Sequence, residues 1–92
     1  MKIQWTKAAK EKYVEIIDFL EDNWGESVVK SFRKKIRKSL NTIIKNPKAA
    51  PISNKLGLRK IVVTKHNLII YNFNEKELTV VILIDTRTDH KY

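Results

Sequence analysis

Four side chains in the last third of the sequence have the chemistry to act on a phosphate group: Arg59, Arg87, His90 and Tyr92. A guanidinium stays protonated at physiological pH and can grip a phosphate through two parallel hydrogen bonds. A histidine titrates near neutral pH, and a tyrosine can stack on a base or hold a proton. Together these types can neutralise, protonate and position a phosphate, which predicts that they form a phosphate site.

The distribution of charge points to the same class of partner. The chain has 19 basic and 10 acidic residues among 92, a formal net charge of +9. In so small a domain, this excess favours a polyanionic or acidic partner. The residues predicted to bind a nucleic-acid backbone lie on one helix face and in the segment that follows it: Arg33, Lys34, Arg37, Lys38, Lys48, Lys55 and Lys60.

Length and composition exclude several other classes of protein. Residues 1–92 suit a single domain, and the absence of cysteine removes disulfides and thiolate metal sites. Two histidines are too few for a zinc site without added carboxylates. No apolar run approaches the roughly 18 residues of a membrane span, and Met1–Trp5 is not followed by the apolar core expected of a signal peptide. We therefore expect a cytoplasmic protein with no metal, no cofactor and no membrane contact.

Apolar spacing in the first half predicts a short strand and two helices. Lys2–Trp5 alternates polar and apolar residues, and Thr6 can cap a helix that runs to about Asn23. Gly25 supplies the left-handed conformation that ends this helix. We expect Trp5 and Trp24 to lie in the core. The apolar stripe of the second helix comprises Val29, Phe32, Ile36, Leu40 and Ile43.

The second half predicts three antiparallel strands, Leu58–Val63, Leu68–Phe73 and Leu78–Ile84. The last run is nearly all apolar, so we expect it in the centre of the sheet, covered on both faces. The predicted fold is α+β: an N-terminal strand, a two-helix antiparallel hairpin, and a three-stranded antiparallel meander, forming one twisted sheet. Arg59 begins one strand and Arg87 follows another, so the two converge if those strands are antiparallel neighbours.

The order of these features resembles that of the RelE/ParE superfamily of type II toxin–antitoxin toxins, over essentially the whole chain. The resemblance depends on this series of segments: Trp24-Gly25, Asn46-Pro47, Gly57-Leu58-Arg59-Lys60, His66-Asn67-Leu68-Ile69-Ile70-Tyr71 and Ile84-Asp85-Thr86-Arg87. It implies a bacterial cytoplasmic toxin whose twisted sheet packs on a helical hairpin. It also implies a cognate acidic antitoxin that wraps the toxin and blocks its site.

Two activities follow from the resemblance. RelE-like members cleave mRNA on the ribosome without metal, whereas ParE-like members inhibit DNA gyrase with no catalysis of their own. In an mRNA endoribonuclease, Arg59 and Arg87 would stabilise the phosphorane, and His90 or Tyr92 would transfer protons. The seven basic residues of the helix and loop would then bind RNA. These assignments define the predicted catalytic and RNA-binding sites.

Two departures from the ribonuclease pattern keep the alternatives open. No acidic residue lies between Glu26 and Arg59, where YoeB-like enzymes carry a glutamate base. Asp85 and Asp89 flank Arg87 and can pair with it. The leading prediction is a ribosome-dependent mRNA endoribonuclease; the alternatives are a gyrase inhibitor without catalysis and a plain basic nucleic-acid-binding module.

Overall fold

A computed structural model describes residues 1–53 and 56–87 of the chain. The elements follow the predicted order, and the α+β class is confirmed. Their bounds are β1 (Lys2–Trp5), α1 (Lys7–Trp24), α2 (Glu26–Lys45), β2 (Arg59–Thr64), β3 (Asn67–Phe73) and β4 (Glu77–Asp85).

The helical hairpin begins and turns at the two residues that its sequence marks. The Thr6 Oγ1 accepts a hydrogen bond from the Ala9 amide at 3.0 Å and donates one to the Val81 carbonyl at 2.6 Å. The cap therefore also fastens the start of α1 to β4. At the turn, Gly25 has φ of 90°, and its amide donates to the carbonyls of Leu20 and Glu21.

The four strands form one sheet in the order β1-β4-β3-β2. β4 lies inside the sheet, as its apolar sequence predicts, with β1 parallel to it on one side and β3 antiparallel on the other. β3 also pairs antiparallel with β2. Because β2 and β4 are both antiparallel to β3, which lies between them, β2 and β4 run in the same direction.

The core lies between the hairpin and one face of the sheet. All five residues of the predicted α2 stripe are buried, and they meet Ile69, Tyr71, Leu78, Val80 and Leu83 from the strands. Burying each such side chain stabilises the fold by roughly 1.5–3 kcal/mol. The Tyr71 hydroxyl keeps a partner in this interior by donating to the Pro47 carbonyl at 2.7 Å.

One tryptophan departs from the prediction. Trp5 is half-buried against the core, but Trp24 is 64% exposed. Trp24 shares the stripe of Ile17, one heptad earlier, yet it lines an open pocket whose other walls include α2 and the β2–β3 turn. Its neighbours at the hairpin tip, Phe19 and Val28, are exposed as well.

The segment between α2 and β2 is fastened to the outer edge of β2. Ile52 forms an isolated bridge with Arg59, and the Lys60 amide donates to the Pro51 carbonyl at 3.1 Å. This pairing covers the first half of an otherwise open sheet edge. In the part of the chain that the structure describes, neither helix is long and apolar enough to cross a membrane.

Candidate functional site

The two arginines predicted to grip a phosphate lie at opposite ends of the sheet. Arg59 pairs with Tyr71 of β3, whereas Arg87 follows Asp85, which pairs with Asn67 at the other end of that strand. The four-residue step along β3 corresponds to about 13 Å. The condition for convergence is not met, because β2 and β4 are neither neighbours nor antiparallel.

Arg59 is bonded to the loop that precedes it. Its Nη1 donates to the carbonyls of Lys48 and Ala50, at 3.2 and 2.7 Å. Its guanidinium also lies 5.8 Å from the centre of the Phe73 ring. These contacts tie the charged group to the backbone of residues 48–50, so in this structure Arg59 organises the loop.

Arg87 forms a two-pronged ion pair with Asp85, as the flanking carboxylate predicts. Nε and Nη2 each lie 3.1 Å from a carboxylate oxygen, and the Arg87 amide donates to the same group at 2.9 Å. The bonded carboxylate raises the pKa of Arg87. Burial favours a higher pKa for Asp85, but hydrogen bonds and charge from Arg87, with charge from Lys12, lower the pKa overall. The Arg87 guanidinium also lies 5.3 Å from the Phe19 ring centre.

The remaining predicted site residues divide into three groups. His90, Tyr92 and Lys55 lie outside the described residues, as does Asp89, which was predicted only as a partner for Arg87. Lys48 is exposed in the loop, and Lys60 is half-buried on β2. The four basic residues predicted on the second helix are all exposed on α2: Arg33, Lys34, Arg37 and Lys38.

α2 contributes its basic side chains to two different depressions. Lys34, Arg37 and Lys38 line a shallow polar hollow of about 540 Å³. Arg33 and Arg37 border an apolar groove of about 590 Å³ between α1 and α2, opposite Lys10. The floor of this groove consists of Trp5, Tyr13, Val14, Ile36 and Leu40. This groove was not predicted from the sequence. Val14 could have indicated it, because this residue is apolar and lies off the core stripe of α1.

A third depression lies at the hairpin tip and was not predicted. It measures about 380 Å³, and its lining includes Trp24, Lys35, Lys65, Asn67 and Arg87. Only Arg87 belongs to the predicted site. Within residues 1–53 and 56–87, no group of three or more histidine, aspartate or glutamate side chains could hold a metal ion.

The family model for the ParE toxin of the parDE type II toxin–antitoxin system matches residues 3–90. The chain belongs to the ParE toxin family. This membership confirms the predicted RelE/ParE relationship and the predicted role as the toxin of a type II toxin–antitoxin pair. A ParE toxin is accompanied by a cognate antitoxin, so the predicted antitoxin partner is supported too.

Several solved structures have the same fold. A chain of the chromosomal ParDE system of Pseudomonas aeruginosa superposes with a TM-score of 0.77 at 17% identity, covering 92% of this chain and 95% of that one. A YoeB/ParE toxin from Agrobacterium tumefaciens gives 0.66 at 16% identity, with 92% and 98% covered. The YoeB dimer from Staphylococcus aureus gives 0.66 at 18%, with 91% and 94% covered. No curated protein matches the sequence.

Proposed function

We propose that this ParE-family toxin arrests growth by binding and inhibiting DNA gyrase, without catalysing a reaction itself. The observation that carries the proposal is the separation of Arg59 from Arg87 and the engagement of each guanidinium within the chain. Metal-independent RNA cleavage needs a base for the 2′-hydroxyl, cations on the phosphorane and an acid for the leaving oxygen, all at one phosphate. Cations at opposite ends of a sheet do not serve one phosphate.

The bonding of the two arginines supports the same conclusion. To bind a phosphate, Arg59 would have to release two backbone carbonyls, and Arg87 would have to share its two-pronged bond with Asp85. Hydrogen bonds that involve a charged group contribute about 1.5–3 kcal/mol each, and phosphate binding would have to offset the loss of those that are broken. As family resemblance implies, a ParE-like toxin needs no such site, because its target is a protein.

The direct test uses purified gyrase and a C-terminal double variant. We expect the wild-type toxin to inhibit supercoiling of relaxed plasmid, and His90→Ala/Tyr92→Phe to inhibit it within about twofold. These substitutions remove the two remaining candidates for proton transfer, and circular dichroism checks that the variant is folded. Expression in a bacterium at matched protein levels should give filamentation with normal translation for both chains.

The mRNA endoribonuclease makes the opposite prediction in the same experiment. Gyrase activity would be unaffected, new mRNA ends would appear on ribosome-bound messages, and the double variant would lose both cleavage and toxicity. That outcome would overturn the proposal and return His90 and Tyr92 to a catalytic role.

A further inference from the structure

A buried hydrogen-bond donor without a partner identifies the hairpin-tip pocket as a place to look for a ligand. Asn67 is 7% exposed, and its Nδ2 is the one buried side-chain polar atom without a hydrogen-bond partner in the described part of the chain. Buried polar groups in native proteins nearly always have a partner, so an exception calls for an explanation. Asn67 lines the pocket, which has room for a ligand that supplies the missing hydrogen-bond partner.

The hydrogen bonds of the neighbouring Thr64 identify which atom of the Asn67 side-chain carboxamide has no partner. The Thr64 Oγ1 accepts a hydrogen bond from the His66 amide at 3.1 Å, so its own hydrogen is available for the Asn67 Oδ1, 2.8 Å away. Turning the carboxamide over would give Oγ1 two donors and leave its hydrogen without an acceptor. The unpaired atom is therefore the donor Nδ2, and the partner it lacks is an acceptor such as a carboxylate or carbonyl oxygen.

The charge around the pocket favours a carboxylate. Lys35 of α2 and Lys65 of the β2–β3 turn both line it, and Arg87 adds a guanidinium. No acidic residue is among the described residues that line it. Asp85 neutralises part of the Arg87 charge, so the two lysines supply most of the positive potential.

The apolar surface beside these charges favours a protein segment over a nucleic acid. Trp24 and Val28 are exposed, and Leu20 and Phe32 continue the same wall into the pocket. Exposed aromatic side chains and arginine are enriched at protein-binding hot spots, where close packing with the partner excludes water. A phosphate backbone would leave this wall in contact with water.

We propose that the hairpin-tip pocket binds an acidic peptide segment, with an apolar side chain against Trp24 and a neighbouring carboxylate between Lys35, Lys65 and the Asn67 amide. The inference stands apart from the gyrase proposal, because it concerns a binding pocket that no step of that proposal uses. A failure of one leaves the other in place.

The test is a titration of the full-length toxin, followed by NMR, with a capped peptide of sequence Gly-Glu-Leu-Glu-Phe-Glu-Gly. We expect saturable shifts of the Trp24 indole and of the amides of residues 65–67. The same peptide with glutamine in place of glutamate should bind at least tenfold more weakly. Equal affinity for the two peptides would overturn the role assigned to the carboxylate.

Charge-reversal pairs separate this pocket from the general positive charge. Lys35→Glu/Lys65→Glu should weaken binding of the acidic peptide at least tenfold. The matched pair Lys7→Glu/Lys76→Glu makes the same change of charge away from the pocket and should stay within threefold of wild type. Equal losses in both pairs would overturn the proposal.

Two further measurements complete the test. Asn67→Leu, checked for folding by thermal melting, should weaken the peptide at least threefold, since it removes the unpaired donor. An octamer of deoxythymidine should leave the signals of residues 65–67 unchanged. If the oligonucleotide saturates those signals and the peptide does not, the pocket is a nucleic-acid site and the proposal is wrong.

Discussion

At the scale of single residues, Arg59 and Tyr71 have one structural task in common. They are cross-strand partners, and both bond to carbonyls of the loop that follows α2: Arg59 to Lys48 and Ala50, Tyr71 to Pro47. The loop has two prolines and little regular structure. Side-chain hydrogen bonds therefore position it in place of the backbone hydrogen bonds of a helix or strand. This explains why Arg59, whose guanidinium could bind a phosphate, is bonded to backbone carbonyls of the loop instead.

Tyr71 gives a prediction about alkaline pH. Burial raises the pKa of its hydroxyl, while the charge of Arg59 partly opposes that shift. The folded chain therefore keeps this proton to a higher pH than the unfolded chain. The associated stability is present below about pH 10 and is lost as pH rises through the raised pKa.

The measurement compares wild type with Tyr71→Phe in urea. At pH 8 the variant should be less stable by about 1 kcal/mol, because it loses the bond to Pro47. Above pH 10 this difference in the free energy of unfolding should shrink. Tyr71 of the wild type deprotonates more readily in the unfolded chain, which lowers the stability of the wild type alone. Other titrating groups are common to both chains, so a difference that stays constant up to pH 11 would contradict the assignment.

At the scale of elements, the turn at Gly25 determines how α1 and α2 meet. Its φ of 90° is accessible to glycine and costly for other residues, and nothing lies within 4 Å of where a Cβ would be. A substitution there is therefore a test of backbone strain alone.

We expect Gly25→Ala to destabilise the protein by about 1–3 kcal/mol, since alanine must adopt a combination of φ and ψ that is essentially confined to glycine. Gly25→Asn should cost about as much, because asparagine tolerates the left-handed helical region, where ψ is positive, and the ψ of Gly25 is −178°. The free energy of unfolding in urea measures both. Equal stability of wild type and Gly25→Ala would show that the hairpin turns in another way.

At the scale of the whole molecule, the basic residues behind the formal charge of +9 differ in their surroundings. Lys30 pairs with Glu26 at the start of α2, with 3.6 Å between the charged atoms. The basic side chains farther along α2, including Lys34 and Lys38, border a polar hollow open to solvent. The predicted role of this surface in binding a nucleic-acid backbone can be measured separately from toxicity.

Affinity for single-stranded RNA should fall with salt, and the slope counts the phosphates neutralised. If Lys34 and Lys38 each contact one phosphate, Lys34→Gln/Lys38→Gln should reduce the slope of log affinity against log salt by about 1.4. The control pair Lys7→Gln/Lys76→Gln should leave it unchanged. An equal reduction in both pairs would mean that the charge acts without regard to its position on the molecule.

The sequence by itself determined the elements, the buried stripe of α2, the central place of β4 and the family. These follow from local periodicity, from capping residues such as Thr6 and Gly25, and from the order of features along the chain. Each of them depends on neighbours in sequence. The pairing of Asp85 with Arg87 could be predicted for the same reason, since only Thr86 separates them.

Only the tertiary structure decided which distant side chains meet. The strand order places β3 between β2 and β4, which separates Arg59 from Arg87 and gives Arg59 to the loop. The same packing leaves Trp24 exposed and brings Lys35, Lys65 and Asn67 around one pocket. These outcomes depend on strand order and on the position of the hairpin over the sheet, and neither is encoded in the spacing of any short segment.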